Sequence, residues 1–151
     1  RNKMSLKKET SLTFHLPNFE SKLRIPYVKE GVSAGFPSPA ADYIESSIDL
    51  NELLVRDPLA TFFLRVQGES MQDSGIRDGS VVVVEAGLTA VPGDIVVAEL
   101  NGSFTLKRLR KVAGRYELHP DNPDFPVIRI SEGSELRIFG VVTATVHQFR
   151  K

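Results

Sequence analysis

Four consecutive valines, Val81 to Val84, constrain this chain more than any other feature. β-Branched side chains are stiff at χ1 and favour extended backbone. Successive strand residues face opposite ways, so a run with no polar member has no side to give to water. A strand over Ser80–Glu85 must therefore be covered on both faces, which calls for a sheet inside a globular core. Further strands are expected at Phe62–Val66, Asp94–Leu100, Phe104 to about Arg110, Arg115–His119, and in a long β-branched run from Leu136 to about Gln148. Glycine and proline punctuate them, and Asn101-Gly102 is a strong hairpin signal. About six or seven such strands predict a mostly β domain.

Upstream of Thr61 the pattern is weaker. Residues 1–34 are polar with scattered apolar positions, and Pro17 and Pro26 interrupt any helix. They read as an extended arm whose order depends on docking. Ser38-Pro39 suits a helix start, a capping hydroxyl followed by proline at the first helical position. A short helix is expected from Ala40 to about Ile48. Asp49 is placed to cap a second, from Leu50 to about Val55, which ends before Pro58.

Composition removes several kinds of chemistry. The 151 residues include no cysteine, which excludes disulfides, thiol nucleophiles and cysteine-ligated zinc. The three histidines, His15, His119 and His147, are not at ligand spacing, so no metal and no cofactor is expected. No run of about 18 apolar residues and no secretory signal is visible, so a cytoplasmic protein without membrane association is expected. Net charge is zero but unevenly spread. Residues 1–34 carry seven Lys/Arg against three Asp/Glu, and residues 35–151 carry twelve against sixteen. A basic arm on an acidic body can lie against that body or a partner's. An acidic body is a poor surface for sequence-specific DNA binding.

Two segments could carry chemistry. In Gly68-Glu69-Ser70-Met71, Ser70 sits in a tight turn between strands, where backbone N–H groups can form an oxyanion hole. Most serines in turns are caps or solvated. In Phe104-Thr105-Leu106-Lys107-Arg108-Leu109, alternation puts Lys107 on one face with Thr105 and Leu109, and Arg108 on the other with Arg110. One face looks into the core. If it is the face of Lys107, desolvation favours the neutral amine, which can serve a serine as general base. Otherwise Lys107 is an exposed or snorkelling strand lysine. Without cysteine or a histidine cluster, a Ser–Lys pair is the nucleophile and base most easily built here.

The segments Gly68-Glu69-Ser70-Met71, Gly93-Asp94-Ile95-Val96 and Phe104-Thr105-Leu106-Lys107 resemble the LexA/UmuD family of self-cleaving Ser-Lys peptidases. Ala34-Gly35 resembles the family's cleavage dipeptide. The stretches from Gly35 to Tyr43 and from Ile48 to Leu54 are most similar to the UmuD-like branch. Only 34 residues precede the bond cleaved, with no helical pattern, which favours that branch over repressors carrying a helix-turn-helix domain. Ser80 stands where many relatives place an aspartate, and the arm matches the family poorly. Asn122-Pro123-Asp124-Phe125-Pro126 resembles a family loop whose simplest role is packing.

The resemblance implies a peptidase β-fold with short N-terminal helices, an arm of residues 1–34 and a peptidase-like domain of residues 35–151. It implies Ser70 as nucleophile, Lys107 as base, and the N–H groups of Ser70 and Met71 as oxyanion donors. Cleavage would fall between Ala34 and Gly35, promoted by a RecA filament on single-stranded DNA. The product would form a homodimer and join a UmuC-like translesion polymerase in SOS mutagenesis. The competing readings are the peptidase domain of a LexA-type or phage repressor, and a non-catalytic β interaction module. A signal-peptidase-like enzyme shares the chemistry but wants a membrane anchor. The apolar residues of the Leu136–Gln148 run, including Ile138, Phe139, Val141, Val142 and Val146, are expected to be mostly core positions, and the outer face or edge of the run is a further candidate for pairing with a second subunit.

Overall fold

The computed structural model describes residues 12–15, 25–28 and 45–150. The chain divides into two compact units, Asn18–Arg56 and the remainder.

In the smaller unit two strands pair antiparallel: β2 (Ile25–Val28) and β3 (Glu45–Ile48), with Ile25 opposite Ile48 and Val28 opposite Glu45. The proline in β2, Pro26, is tolerated because a two-stranded sheet leaves every strand an open edge. One turn of helix follows, α1 (Leu50–Leu54). Its start is chemical: the Asp49 carboxylate accepts the Asn51 N–H at 2.9 Å, and the Asp49 carbonyl accepts from Leu53 N at 3.1 Å. This is the capped helix the sequence predicts. The helix expected over residues 40–48 is not formed where it is described, since Glu45–Ile48 is strand, and residues 40–44 lie outside the described residues. Serines at 46 and 47 and the β-branched Ile48 are weak helix formers, and a helix this short needs support beyond propensity. Pairing with β2 satisfies the same backbone groups.

The larger unit is built on one antiparallel sheet of eight strands. These are β1 (Leu12–His15), β4 (Thr61–Val66), β5 (Val81–Glu85), β6 (Ile95–Leu100), β7 (Ser103–Val112), β8 (Arg115–His119), β9 (Ile128–Arg129) and β10 (Leu136–Val146). Their spatial order is β1-β4-β5-β10-β6-β7-β8-β9. The expected strands recur within a few residues at each end. Two were not expected: β9, only two residues long, and β1, through which the arm adds an edge strand with Leu12 opposite Val66. The C-terminal run is no edge, because β10 lies between β5 and β6 and joins the two halves of the sheet.

The valine run behaves as its composition requires. Val82, Val83 and Val84 are all buried, so β5 is covered on both faces. β10 pairs with it antiparallel, with a register shift between Val142 and Ala144, and a second shift between Ile138 and Gly140 interrupts the pairing of β10 with β6. A Cβ on Gly140 would lie 2.6 Å from Val84 Cγ1 and 3.1 Å from the Glu85 carbonyl oxygen, so only glycine lets the strands approach this far. Asn101 (φ 50°) and Gly102 (φ 84°) both adopt positive φ, the two-residue turn that matches strand twist and joins β6 to β7. Core side chains gather in two clusters. One contains Leu64, Val66, Met71, Ile76, Val82, Val84, Val97 and Leu106. The other contains Val96, Ala98, Leu109, Leu118 and Val141. Leu106 and Lys107 are neighbours in β7 and both buried, so this strand too is covered on both faces at its middle.

Candidate active site

The loop between β4 and β5 is closed at its base by backbone bonds. Val66 N–H donates to the Ser80 carbonyl and Gly79 N–H to the Val66 carbonyl, both at 2.8 Å. The Asp78 carboxylate accepts the Gly68 N–H at 2.8 Å. Inside the loop a short 3-10 turn, Gln72–Ser74, begins at Met71 and ends on Gly75 in the left-handed region (φ 85°). The Met71 carbonyl gathers three donors, the N–H groups of Ser74 and Ile76 and the Ser74 hydroxyl. Met71 itself is a core residue, 1% exposed, so the turn is anchored from below by apolar burial. Ser70 precedes that anchor in sequence and is 1% exposed.

Lys107 reaches this turn from the middle of β7, opposite Val96 in β6. It is 8% exposed, so the core-facing alternative of the sequence is the one realised. Its Nζ donates to Thr105 Oγ1 at 2.8 Å and to the Leu106 carbonyl at 3.2 Å, and lies 3.4 Å from Ser70 Oγ. These three partners are uncharged oxygens. A neutral amine can satisfy Thr105 and Leu106 with its two N–H bonds and turn its lone pair to the Ser70 hydroxyl. Burial disfavours the charged form of an amine, which acts in the same direction. The 3.4 Å separation is on the long side for such a pair, and catalytic hydrogen bonds commonly tighten when substrate is bound. Thr105 was not singled out in the sequence as part of the chemistry. Its position two residues before Lys107, on the same strand face, was the available signal.

Both candidate oxyanion donors belong to this turn. Among the described residues the Met71 N–H makes no hydrogen bond to a protein group, and it follows the nucleophile directly. Ala34 and Gly35, the candidate scissile pair, lie outside the described residues. On the face of β7 that Lys107 shares with Leu109, an open groove of about 380 Å³ is lined by Leu88, Leu109, Tyr116, Leu136 and Ile138 among others. Such a groove can take apolar side chains of an extended peptide.

A second segment braces the turn from outside. Asp73 N–H donates to the Asp121 carbonyl at 2.8 Å, Asp121 N–H points to Met71 Sδ at 3.4 Å, and Asn122 Nδ2 donates to the Glu69 carbonyl at 2.7 Å. The loop that follows His119 therefore does more than pack. The Asp121 carboxylate is held by Arg108, whose Nε donates to both of its oxygens, and the Arg108 Nη1 donates to the Gly93 carbonyl at 2.6 Å. The hydrogen bond to Asp121 holds the Arg108 guanidinium above its ordinary range. None of this network was legible in the sequence, because its members are up to 53 residues apart.

Ser80 is buried away from the pair: its hydroxyl accepts the Arg77 N–H at 2.9 Å and meets His147 Nδ1 at 3.1 Å. Among the described residues no group of three His, Asp or Glu side chains could hold a metal ion. No described helix is long and apolar enough to cross a membrane.

Comparison with known proteins bears on this geometry. Residues 26–143 match the family described as Peptidase S24-like. The chain is 47% identical over 125 residues to protein SamA of Salmonella typhimurium, spanning 83% of this chain and 86% of SamA. It is 50% identical over 120 residues to protein MucA of Escherichia coli, spanning 79% of this chain and 82% of MucA. To the LexA repressor of Paracidovorax citrulli it is 36% identical over 134 residues, which span 88% of this chain and 59% of the repressor.

Proposed function

Because the chain belongs to the Peptidase S24-like family, in its UmuD-like branch, we propose that it is a serine peptidase that cuts itself between Ala34 and Gly35. The observation that carries this reading is the approach of Lys107 Nζ to within 3.4 Å of Ser70 Oγ, with both residues buried.

The chemistry follows from that approach. Lys107, as the neutral amine, takes the Ser70 hydroxyl proton while Oγ attacks the Ala34 carbonyl carbon. Negative charge develops on the Ala34 oxygen, where the N–H groups of Ser70 and Met71 receive it. The bond between the Ala34 carbon and the Gly35 nitrogen breaks, and the Lys107 ammonium returns its proton to the leaving Gly35 amine. An ester joins Ser70 to Ala34. Water, deprotonated by Lys107, attacks that ester, restores the Ser70 hydroxyl and releases the Ala34 carboxylate. Residues 35–151 remain as the product. Small side chains at the scissile pair suit a shallow cleft, and a proline at 37 favours the extended backbone that strand-like docking needs.

Two conditions keep the reaction slow in the resting protein. The segment containing Ala34 must enter the cleft, and Lys107 must be neutral, so the competent state is a minor population. A RecA filament on single-stranded DNA is the proposed activator, acting by favouring that state. In SOS mutagenesis the shortened chain then acts as a homodimer with a UmuC-like translesion polymerase. Identity of 47% and 50% to SamA and MucA, against 36% to a LexA repressor, supports this branch of the family over the repressor branch.

The test is incubation with RecA, single-stranded DNA and a nucleotide, read by intact mass. The expected result is a fragment beginning at Gly35 from the unmutated chain and none from Ser70→Ala. A chain that stays whole with an active filament, or a Ser70→Ala variant cut at the same bond, contradicts the proposal.

A further inference from the structure

We propose that the Arg108–Asp121 ion pair is a positioning strut that holds the nucleophile turn against the strand carrying the base; the inference rests on the Ser70–Lys107 reading. Successive residues of a strand point to opposite faces, so Lys107 and Arg108 leave β7 in opposite directions. Lys107 reaches Ser70. Arg108 reaches Asp121, and the segment around Asp121 in turn grips the Ser70 turn.

That grip is specific in place. It falls on Glu69, through the Asn122 amide at 2.7 Å, on Met71, through the contact of its sulfur with the Asp121 N–H at 3.4 Å, and on Asp73, through the Asp121 carbonyl at 2.8 Å. Both chain neighbours of Ser70 are therefore held by residues 121 and 122. Asp121 is fixed by the Arg108 guanidinium through Nε and Nη2 together. The same guanidinium holds the Gly93 carbonyl at 2.6 Å, where the chain enters β6 beside β7. The pair is mostly shielded, with side-chain exposures of 22% for Arg108 and 16% for Asp121. A planar guanidinium bridging two acceptors defines direction as well as distance, which an ammonium on a flexible stem does not. One strand thus sets both partners of the reaction, the base directly and the nucleophile through its next residue. Arg108 and Asp121 touch neither substrate nor reacting atoms, so they act as positioning residues.

A different role is possible for the same arginine: its charge, one residue from Lys107, could favour the neutral amine. The two roles separate in a pH–rate profile. Full-length Arg108→Lys, Arg108→Met and Asp121→Asn would be compared with the unmutated chain by the rate of self-cleavage from neutral to alkaline pH. Amide hydrogen exchange at Asp73 would be read in parallel, and thermal unfolding would confirm that each variant is folded. The strut predicts that Asp73 exchanges at least about tenfold faster in all three. It also predicts a limiting alkaline rate lower by about tenfold or more, since small misplacement of reacting groups is costly, with the midpoint of the profile unmoved. Arg108→Lys keeps the charge and is still expected to lose rate. If Arg108→Lys is silent while Arg108→Met moves the midpoint upward, the charge is what matters and the strut is overturned. Unchanged Asp73 exchange overturns it as well. A chain cut only with an active RecA filament is compared with its variants under that condition. An unmutated chain that cleaves neither in alkali nor with that filament removes the Ser–Lys reading, and with it the positioning role, whatever Asp73 exchange shows. Exchange that quickens in the variants of such a chain would identify the pair as a packing contact only.

Discussion

Replacing Thr105 with valine removes one hydrogen bond that is stronger to the ammonium form of Lys107 than to the amine. Valine keeps the β-branched shape and the strand preference, and removes only the acceptor 2.8 Å from Nζ. A hydrogen bond to a charged donor is worth roughly 1.5–3 kcal/mol, and one between neutral groups roughly 0.5–1.5 kcal/mol. The hydroxyl therefore favours the ammonium over the amine by about 1–1.5 kcal/mol. At 1.36 kcal/mol per pH unit, its loss lowers the midpoint of the pH–rate profile by about one unit. Thr105 is only partly buried, which places the effect at the lower end of that range. The assay is the first-order rate of self-cleavage from about pH 6 to about pH 11, for the unmutated chain and Thr105→Val. The limiting rate is expected to fall, because Thr105 also aims the amine. The diagnostic quantity is the midpoint. A midpoint that stays put or rises refutes the assignment of Lys107 as the titrating base held by Thr105.

Other expectations follow from particular contacts. Met71→Ala empties a fully buried position beneath the nucleophile and should cost about 2–5 kcal/mol in urea unfolding, whereas Met71→Leu should cost under about 1.5 kcal/mol. Gly140→Ala drives a Cβ to 2.6 Å from Val84 Cγ1 and should destabilise by about 1–3 kcal/mol or more, with a lower denaturation midpoint. Asp49→Ala removes the cap of α1, about 1 kcal/mol of local stability, and should speed amide exchange at Asn51 and Leu53. The hydrogen bond from His119, with Arg129 nearby, holds Glu117 below the ordinary carboxylate range. A depressed folded value means that its stabilisation is present above the unfolded value and is lost as pH falls through the folded one. Thermal unfolding of the unmutated chain should therefore weaken more on acidification than that of Glu117→Gln, and equal losses would count against the pairing.

The sequence disclosed those features that depend on short-range pattern. Val81–Val84 could only be a strand covered twice, and Asn101-Gly102 could hardly be anything but a tight hairpin. Asp49 announced its helix through a side chain that caps two residues on. The proximity of Ser70 and Lys107 was legible for a different reason: alternation left Lys107 two open faces, and it was the resemblance of three short motifs to a peptidase family that singled out the pair. Glu45–Ile48 was misjudged because a capping serine and a proline upstream outweighed the poor helix formers that follow them, and no local signal announces pairing with a strand 20 residues earlier. The placement of β10 at the centre of the sheet escaped for a similar reason, since its partners β5 and β6 are settled by tertiary pairing. Arg108, Asp121 and Asn122 looked like ordinary loop and strand residues. Their roles come from contacts across 13 to 53 positions, which no window of sequence contains.

The central claim is that Ser70 and Lys107 alone suffice to cut the chain at Ala34-Gly35. Its most direct test is intact-mass measurement of the purified protein after incubation at about pH 10, near the ordinary lysine value, with no activator present. The account predicts a fragment beginning at Gly35 that accumulates faster in alkali than at neutral pH, and that is missing from both Ser70→Ala and Lys107→Ala. A fragment formed equally by either variant, or a rate that is flat between neutral and alkaline pH, would contradict it.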